Sequence, residues 1–260
     1  MIFNSQKEAL DQLHILAESD RQSIIIVGPS GSGKSYLSRE FANLLNVQDF
    51  NSVEPKVGDI REAIDGCINL KNRIVLEIKN LDLGVAAASY TLLKCLEEPM
   101  PNLYIVITCR NMQQVPDTIV SRSAVVTLGP PTNNDIDEFG KSVDPLKFST
   151  VSSRLVWQCV RSFSDAEEVL KMDSNEIQYY ESLSELCKFN DSVSNIIWKL
   201  GHYDSGKGCN IELAIRSIMQ LMHNPFITKC GIDCLNDLSK ARIASHAVLA
   251  KFAFNAKFCE

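Results

Sequence analysis

The amino-acid sequence predicts an α/β fold: a parallel sheet covered by helices, followed by an all-helical remainder. Three observations carry this. Short β-branched apolar runs alternate with helical patterns through residue 128. A glycine-rich turn joins the first of these runs to a helix. No strand pattern follows the loop chemistry of Gly129-Pro130-Pro131-Thr132-Asn133-Asn134.

Each element has its own reason. In residues 6–18, Ala9, Leu10, Leu13, Leu16 and Ala17 share one helix face. Residues 23–27 are a buried-strand run, and a helix is expected from Tyr36 to Leu45. Residues 58–70 have a helical pattern. Residues 73–78 and 103–108 are further strand candidates, and the helix formers of 85–98 end at Glu98-Pro99. Residues 124–128 complete the strands. Unbroken apolar runs of this kind suit a parallel sheet covered on both faces. Beyond residue 130, stretches 134–140, 151–160 and 164–171 suggest a small helical domain. Stretches 174–190, 191–201, 210–223 and 234–256 suggest a second one.

Composition narrows the function classes. The chain has 260 residues, 45% apolar and 22% charged, an ordinary globular balance. No apolar run approaches the ~18–20 residues that span a bilayer, so no membrane is expected. The opening MIFNSQKEAL lacks a signal-peptide core, so a cytoplasmic location is expected. Nine cysteines, an odd number without a CxxC pair, read as buried or free thiols. Residues 1–130 hold twelve basic and fifteen acidic side chains and 131–260 fourteen and seventeen, so each half carries −3 of the net −6. A global basic field for unspecific DNA binding is therefore excluded.

Residues Gly28-Pro29-Ser30-Gly31-Ser32-Gly33-Lys34-Ser35 match G-x-x-x-x-G-K-[ST] in full, between a strand and the helix that Tyr36 opens. Glycines let the backbone curl so that its N–H groups point at phosphate oxygens, and the helix N-terminus favours the anion. Lys34 is expected at the β- and γ-phosphates of ATP and Ser35 on Mg²⁺. Hydrolysis needs more, normally an Asp-Glu pair after a neighbouring apolar strand. Here Ile74-Val75-Leu76-Glu77-Ile78 is followed by Lys79-Asn80-Leu81-Asp82, with Glu77 and Asp82 the nearby carboxylates.

Leu92-Leu93-Lys94-Cys95-Leu96-Glu97-Glu98-Pro99 resembles the LLKtLEEP signature of DNA polymerase clamp-loader subunits, AAA+ ATPases of the gamma/tau and delta-prime type. Val115-Pro116-Asp117-Thr118-Ile119-Val120-Ser121-Arg122-Ser123 is similar to their serine-arginine-cysteine stretch. Lys56-Val57-Gly58-Asp59-Ile60-Arg61 resembles a third. The motifs cover about residues 1–170. The resemblance implies an AAA+ domain over 1–130, a helical lid over 131–171 and a helical collar over 172–260. It implies that Arg122 is an arginine finger acting in a neighbouring subunit's site. It also implies that Lys56 and Arg61 face the phosphates of primer-template DNA, positioning without reading sequence. The implied partners are the other subunits of a hetero-oligomeric, pentameric ring and a sliding clamp.

The departures from the family pattern carry the functional expectation. Its Asp-Glu pair falls on Lys79 and Asn80, so the cation-holding acid and the carboxylate base are both gone. The sensor positions fall on Cys109 and Arg110, and Ser164 replaces the lid's sensor arginine. The zinc module expected between 46 and 56 is missing, which suggests a shortened, phage-encoded version in a bacterial or infected host cell. The expectation is a clamp-loader subunit that binds ATP and Mg²⁺, hydrolyses poorly or not at all, and supplies Arg122 in trans. The alternatives are a hydrolysing subunit using Glu77 or Asp82, another AAA+ DNA-transaction ATPase, or a small-molecule P-loop kinase. The kinase would need a lid with arginines after the P-loop helix, which the sequence lacks.

Overall fold

Five parallel strands lie in the order β2-β3-β4-β1-β5. They are β1 (Ser23–Val27), β2 (Asp49–Val53), β3 (Ile74–Ile78), β4 (Leu103–Cys109) and β5 (Ala124–Thr127). This computed structural model describes residues 3–67, 72–178, 180, 213, 215, 216, 219 and 225–239. Side chains on a strand alternate between faces, and β1 uses both. Ile24 and Ile26 join one core with Leu13, Leu37, Phe41, Val75 and Val106. Ile25 joins the other with Ile60, Leu76, Leu92, Ile105 and Ile107. The helices α1 (Lys7–Glu18) and α2 (Lys34–Leu44) supply the first face, and α3 (Val57–Cys67) and α4 (Ala86–Glu97) the second. That double cover is why β1 and β4 read as unbroken apolar runs.

One strand had no counterpart in the sequence pattern. β2, Asp49-Phe50-Asn51-Ser52-Val53, pairs with β3 from Asp49↔Ile74 to Val53↔Ile78 at the sheet edge. It is polar and none of its residues is fully buried, so it has no apolar run to announce it. The neighbouring strand selects it, not its own periodicity.

The chain forms two compact units. The first runs to Asp135 and also takes Ser162–Ser164. The second comprises Ile136–Arg161 and the residues from Asp165 onward. Within the second, α7 (Pro145–Val151) opens on Asp144, whose carboxylate accepts from Lys147 N at 2.9 Å, with Pro145 in the first turn. Phe148 meets Trp157 edge-on at 5.2 Å, and the Trp157 indole donates to Asp137 Oδ1 at 2.8 Å. Val156, Cys159, Ala166, Val169, Leu213, Ile215 and Cys234 fill its core. The described helices here include α6 (Asn133–Val143), α8 (Leu155–Gln158), α9 (Phe163–Lys171) and α10 (Pro225–Ser239). The helix expected over 191–201 lies outside the described residues, as do most of the other stretches expected beyond 180. No described helix is long and apolar enough to cross a membrane.

Asp135 fastens the start of the chain to the first unit. Its carboxylate accepts from Thr132 N at 2.9 Å and Thr132 Oγ1 at 2.7 Å. It also accepts from Asn4 N at 3.1 Å, while its own N–H donates to Thr132 Oγ1 at 3.2 Å. This is the reciprocal Thr-x-x-Asp box that starts α6, extended to grip residue 4. Burial alone would raise the Asp135 carboxyl, but the hydrogen bonds, Thr132's foremost, hold it below 3.8. A carboxyl lowered in the folded state adds stability above its unfolded value and loses it as pH falls through the folded one. Asp135→Asn is therefore expected to lower stability by about 1–3 kcal/mol at pH 7. Urea unfolding across pH should show the gap to wild type closing below pH 3.8. A gap that persists unchanged in acid would refute the charge's role.

Candidate nucleotide site

Residues 28–33 turn from the end of β1 into α2, and their shape is imposed by three glycines. Gly31 (φ +67°) and Gly33 (φ +95°) have left-handed backbones that strain an L side chain. There is also no room for one. A Cβ on Gly28 would stand 2.7 Å from Leu128 O, on Gly31 2.5 Å from Ser162 Oγ, and on Gly33 2.3 Å from Gln6 Nε2. Pro29 and Ser30 are exposed at the tip, and Ser32 Oγ donates back to Pro29 O at 2.9 Å. The unsatisfied N–H groups of α2, which begins at Lys34, open onto this loop.

Separate stretches of chain brace the loop. Gln6 Nε2 donates to Ser32 O at 3.2 Å, Phe163 N to Gly31 O at 2.9 Å, and Gly28 N to Cys109 O at 3.1 Å. Phe3 and Phe163 stack at 4.8 Å. Ser164, which the sequence comparison expects at the lid's sensor position, packs against Gly31. No sequence motif marks Gln6, Phe163 or Asp135. Gln6 reads only as the start of an amphipathic helix, and Asp135 and Phe163 lie far from the loop in sequence.

Lys34 is 8% exposed, and its ammonium donates to Gly28 O at 2.8 Å and Pro29 O at 2.6 Å. Burial, and then Arg110, bring its pKa down to about 8, while Asp82 and Cys109 pull upward. An anion in the loop offers this ammonium a stronger acceptor than two neutral carbonyls. Ser35 is exposed at the helix start and Tyr36 half-buried after it. Cys109, fully buried at the end of β4, has its thiol pushed up to about 11 by burial and then by Asp82, so it is uncharged at neutral pH. Arg110 follows it, exposed.

The two carboxylates differ. Glu77, 1% exposed within β3, accepts from Ser38 Oγ at 3.0 Å and from Ser52 Oγ at 2.7 Å, one hydroxyl to each oxygen. It ties α2 to the strands. Past β3, Lys79 N donates to Val53 O at 2.9 Å, and Asn80 turns left-handed (φ +45°) with its N–H on Thr108 Oγ1 at 3.0 Å. Asp82 follows in the 3-10 turn Leu81–Leu83. Its Oδ2 accepts from Arg110 N and Asn111 N, both at 3.1 Å, while Oδ1 is buried with no donor. No three His, Cys, Asp or Glu side chains cluster as a metal site among the described residues. As hard oxygen groups, the exposed Ser35 hydroxyl and that leftover Asp82 oxygen are the kind that would hold Mg²⁺.

The fold thus gathers the loop, Cys109, Arg110, Asp82 and Ser164, and it keeps Arg122 apart. Arg122 precedes β5, where Ser123 Oγ and Ser23 Oγ, beside the strand starts, lie 2.7 Å apart. The loop leaves the opposite, C-terminal ends of the strands, where open α/β sheets bind ligands. Arg122 Nη2 donates to Glu97 Oε1 at 2.9 Å and Nη1 to Thr118 O at 2.8 Å. Lys56 and Arg61 are exposed at α3 beside Glu62 and Asp65.

The family model described as DNA polymerase III, delta subunit, matches residues 61–132. Among solved structures, a DNA polymerase III gamma subunit-related protein from Thermotoga maritima is similar at TM-score 0.56 and 17% identity, covering 96% of this chain and 99% of that one. The Thermotoga maritima RuvB Holliday junction branch migration motor is similar at TM-score 0.51 and 15% identity, covering 97% and 87%. A proline-to-glycine mutant of that motor reaches 0.53 at 14% identity, covering 98% and 89%. The fold is the AAA+ P-loop fold. No curated protein sequence matches the chain significantly. The sequence match falls on the segment from α3 to the loop after β5, which holds the LLK and serine-arginine stretches, whereas the structural likeness spans nearly the whole chain.

The glycine geometry is directly testable. Gly31→Ala puts a Cβ on a left-handed residue against Ser162. It should cost about 1–3 kcal/mol in urea unfolding. Gly58→Ala, on α3 with nothing near the new Cβ, should instead be neutral or stabilise by up to about 1 kcal/mol. Equal losses at both positions would contradict the geometry.

Proposed function

We propose that this chain is a clamp-loader subunit that holds ATP in residues Gly28–Tyr36, hydrolyses it poorly or not at all, and lends Arg122 to a neighbouring subunit's site. The observation that carries the proposal is the end of β3. Lys79 and Asn80 stand where a loader ATPase has its acid and base, and Glu77 is 1% exposed within β3 and held by Ser38 and Ser52 in tying α2 to the strands. An amide cannot accept a proton from water, so a base for hydrolysis is missing. Ser164 removes a further cation from the phosphates. The family-model match over 61–132 supports the loader class, and the distance of Arg122 from the chain's own loop supports action in trans.

In this reading residues 1–130 are the AAA+ domain, 131–171 the lid and 172–260 the collar that joins a pentameric ring. Cys109 and Arg110 sit at the sensor positions. Lys56 and Arg61 meet the backbone of primer-template DNA, and the ring opens a sliding clamp in a bacterial or infected host cell. The fold likeness to RuvB favours one second reading, a different AAA+ DNA motor. Such a motor should turn over ATP by itself on DNA without a clamp.

The test is nucleotide binding and turnover by the purified chain, alone and with sister subunits, clamp and primed DNA. Binding without turnover alone is expected, and strong turnover by the isolated chain refutes the proposal. Arg122→Ala should leave this chain's ATP affinity unchanged and lower turnover at the site it serves by ~10³–10⁵. Unchanged turnover of the assembly would refute the trans role.

A further inference from the structure

Asp82 has an oxygen for which the fold provides no donor. The carboxylate is 9% exposed, and a buried unpaired oxygen is costly unless something else meets it. Its place follows from the backbone. Lys79 is drawn towards the edge by Val53 O, and the left-handed turn at Asn80, pinned on Thr108, reverses the chain. The next turn tucks Asp82 under the end of β4, where Arg110 N and Asn111 N hold one oxygen and fix the plane of the group. The end of β4 lies directly beside the phosphate loop, since Cys109 O accepts from Gly28 N. Asp82 is close enough to Lys34 to act on its charge, as is Arg110. Lys34 nevertheless bonds Gly28 O and Pro29 O and leaves Oδ1 unpaired.

We infer that Asp82 replaces the missing strand-end acid: its Oδ1, with the Ser35 hydroxyl, meets the Mg²⁺ of a bound nucleoside triphosphate. This deepens the proposed function and rests on it. The metal, when bound, neutralises phosphate charge. Asp82 holds and orients that charge, and with Asn80 in place of a base the complex is kept instead of consumed. The acid has moved three residues along the chain, from 79 to 82, and the Asn80 turn brings it back to the loop.

Asp82→Asn tests this, because an amide oxygen can still accept from Arg110 N and Asn111 N while the charge is lost. The readout is Mn²⁺ affinity in the presence of a non-hydrolysable ATP analogue, followed by electron paramagnetic resonance. ATP binding in EDTA and in Mg²⁺ is measured alongside by calorimetry. Asp82→Asn should weaken Mn²⁺ in the ternary complex on the order of 10–100-fold. It should leave ATP binding in EDTA as tight as wild type or tighter. Glu77→Gln, whose partners are both hydroxyls, should leave Mn²⁺ affinity unchanged. Wild-type Mn²⁺ affinity in Asp82→Asn, or a loss in Glu77→Gln alone, overturns the inference and leaves the proposed function standing. No ATP binding by the wild-type chain in either buffer overturns both.

Discussion

The phosphate loop has no space for a side chain at Gly28 or Gly31, and at Gly33 a left-handed backbone and the Gln6 amide stand against one; the rest of the site depends on this. Gly28 is closed by Leu128 after β5, Gly31 by Ser162 and Ser164 before and within α9, and Gly33 by Gln6 from the N-terminal turn. Three distant parts of the chain thus converge on six residues of backbone. Left-handed conformers at Gly31 and Gly33 cost little for glycine, and the surrounding contacts select them from the many a glycine-rich loop could adopt. A loop shaped before the ligand arrives does not have to lose that freedom on binding.

The braces also link the site to the ends of the first unit. Asp135 grips Asn4, the turn from Asn4 carries Gln6, and Gln6 holds Ser32. Glu77 performs the same service beneath the loop, joining α2 to two strands through Ser38 and Ser52. That commitment separates two acids which look alike in sequence. One is tied into the architecture, and the other has an oxygen without a donor.

Much of this was legible beforehand, for identifiable reasons. β1, β3 and β4 were visible as apolar runs because both faces of the central sheet are covered, and β5, at the other edge with Val125 exposed, because its own residues are apolar. β2 was not, because an edge strand with exposed Asp49 and Asn51 has no apolar signature. The P-loop was legible because its glycines, lysine and serine act at fixed offsets along the backbone. Its braces were not, since Gln6, Asp135 and Phe163 reach the loop or its supports across separations that periodicity does not encode. Nor did spacing show that Glu77 is locked, because Ser38 and Ser52 belong to other elements.

What the sequence alone determined is therefore local: the strand–loop–helix cradle, the residues Lys79 and Asn80 that follow β3, and the arginine at 122. Each follows from residue type and offset along one stretch of chain. Only the tertiary structure decided which carboxylate is available and on which end of the sheet each cation lies. Those answers depend on neighbours far apart in sequence. Asp82 reaches the loop through a left-handed turn at Asn80, and Arg122 is kept from it by lying at the other end of the parallel strands.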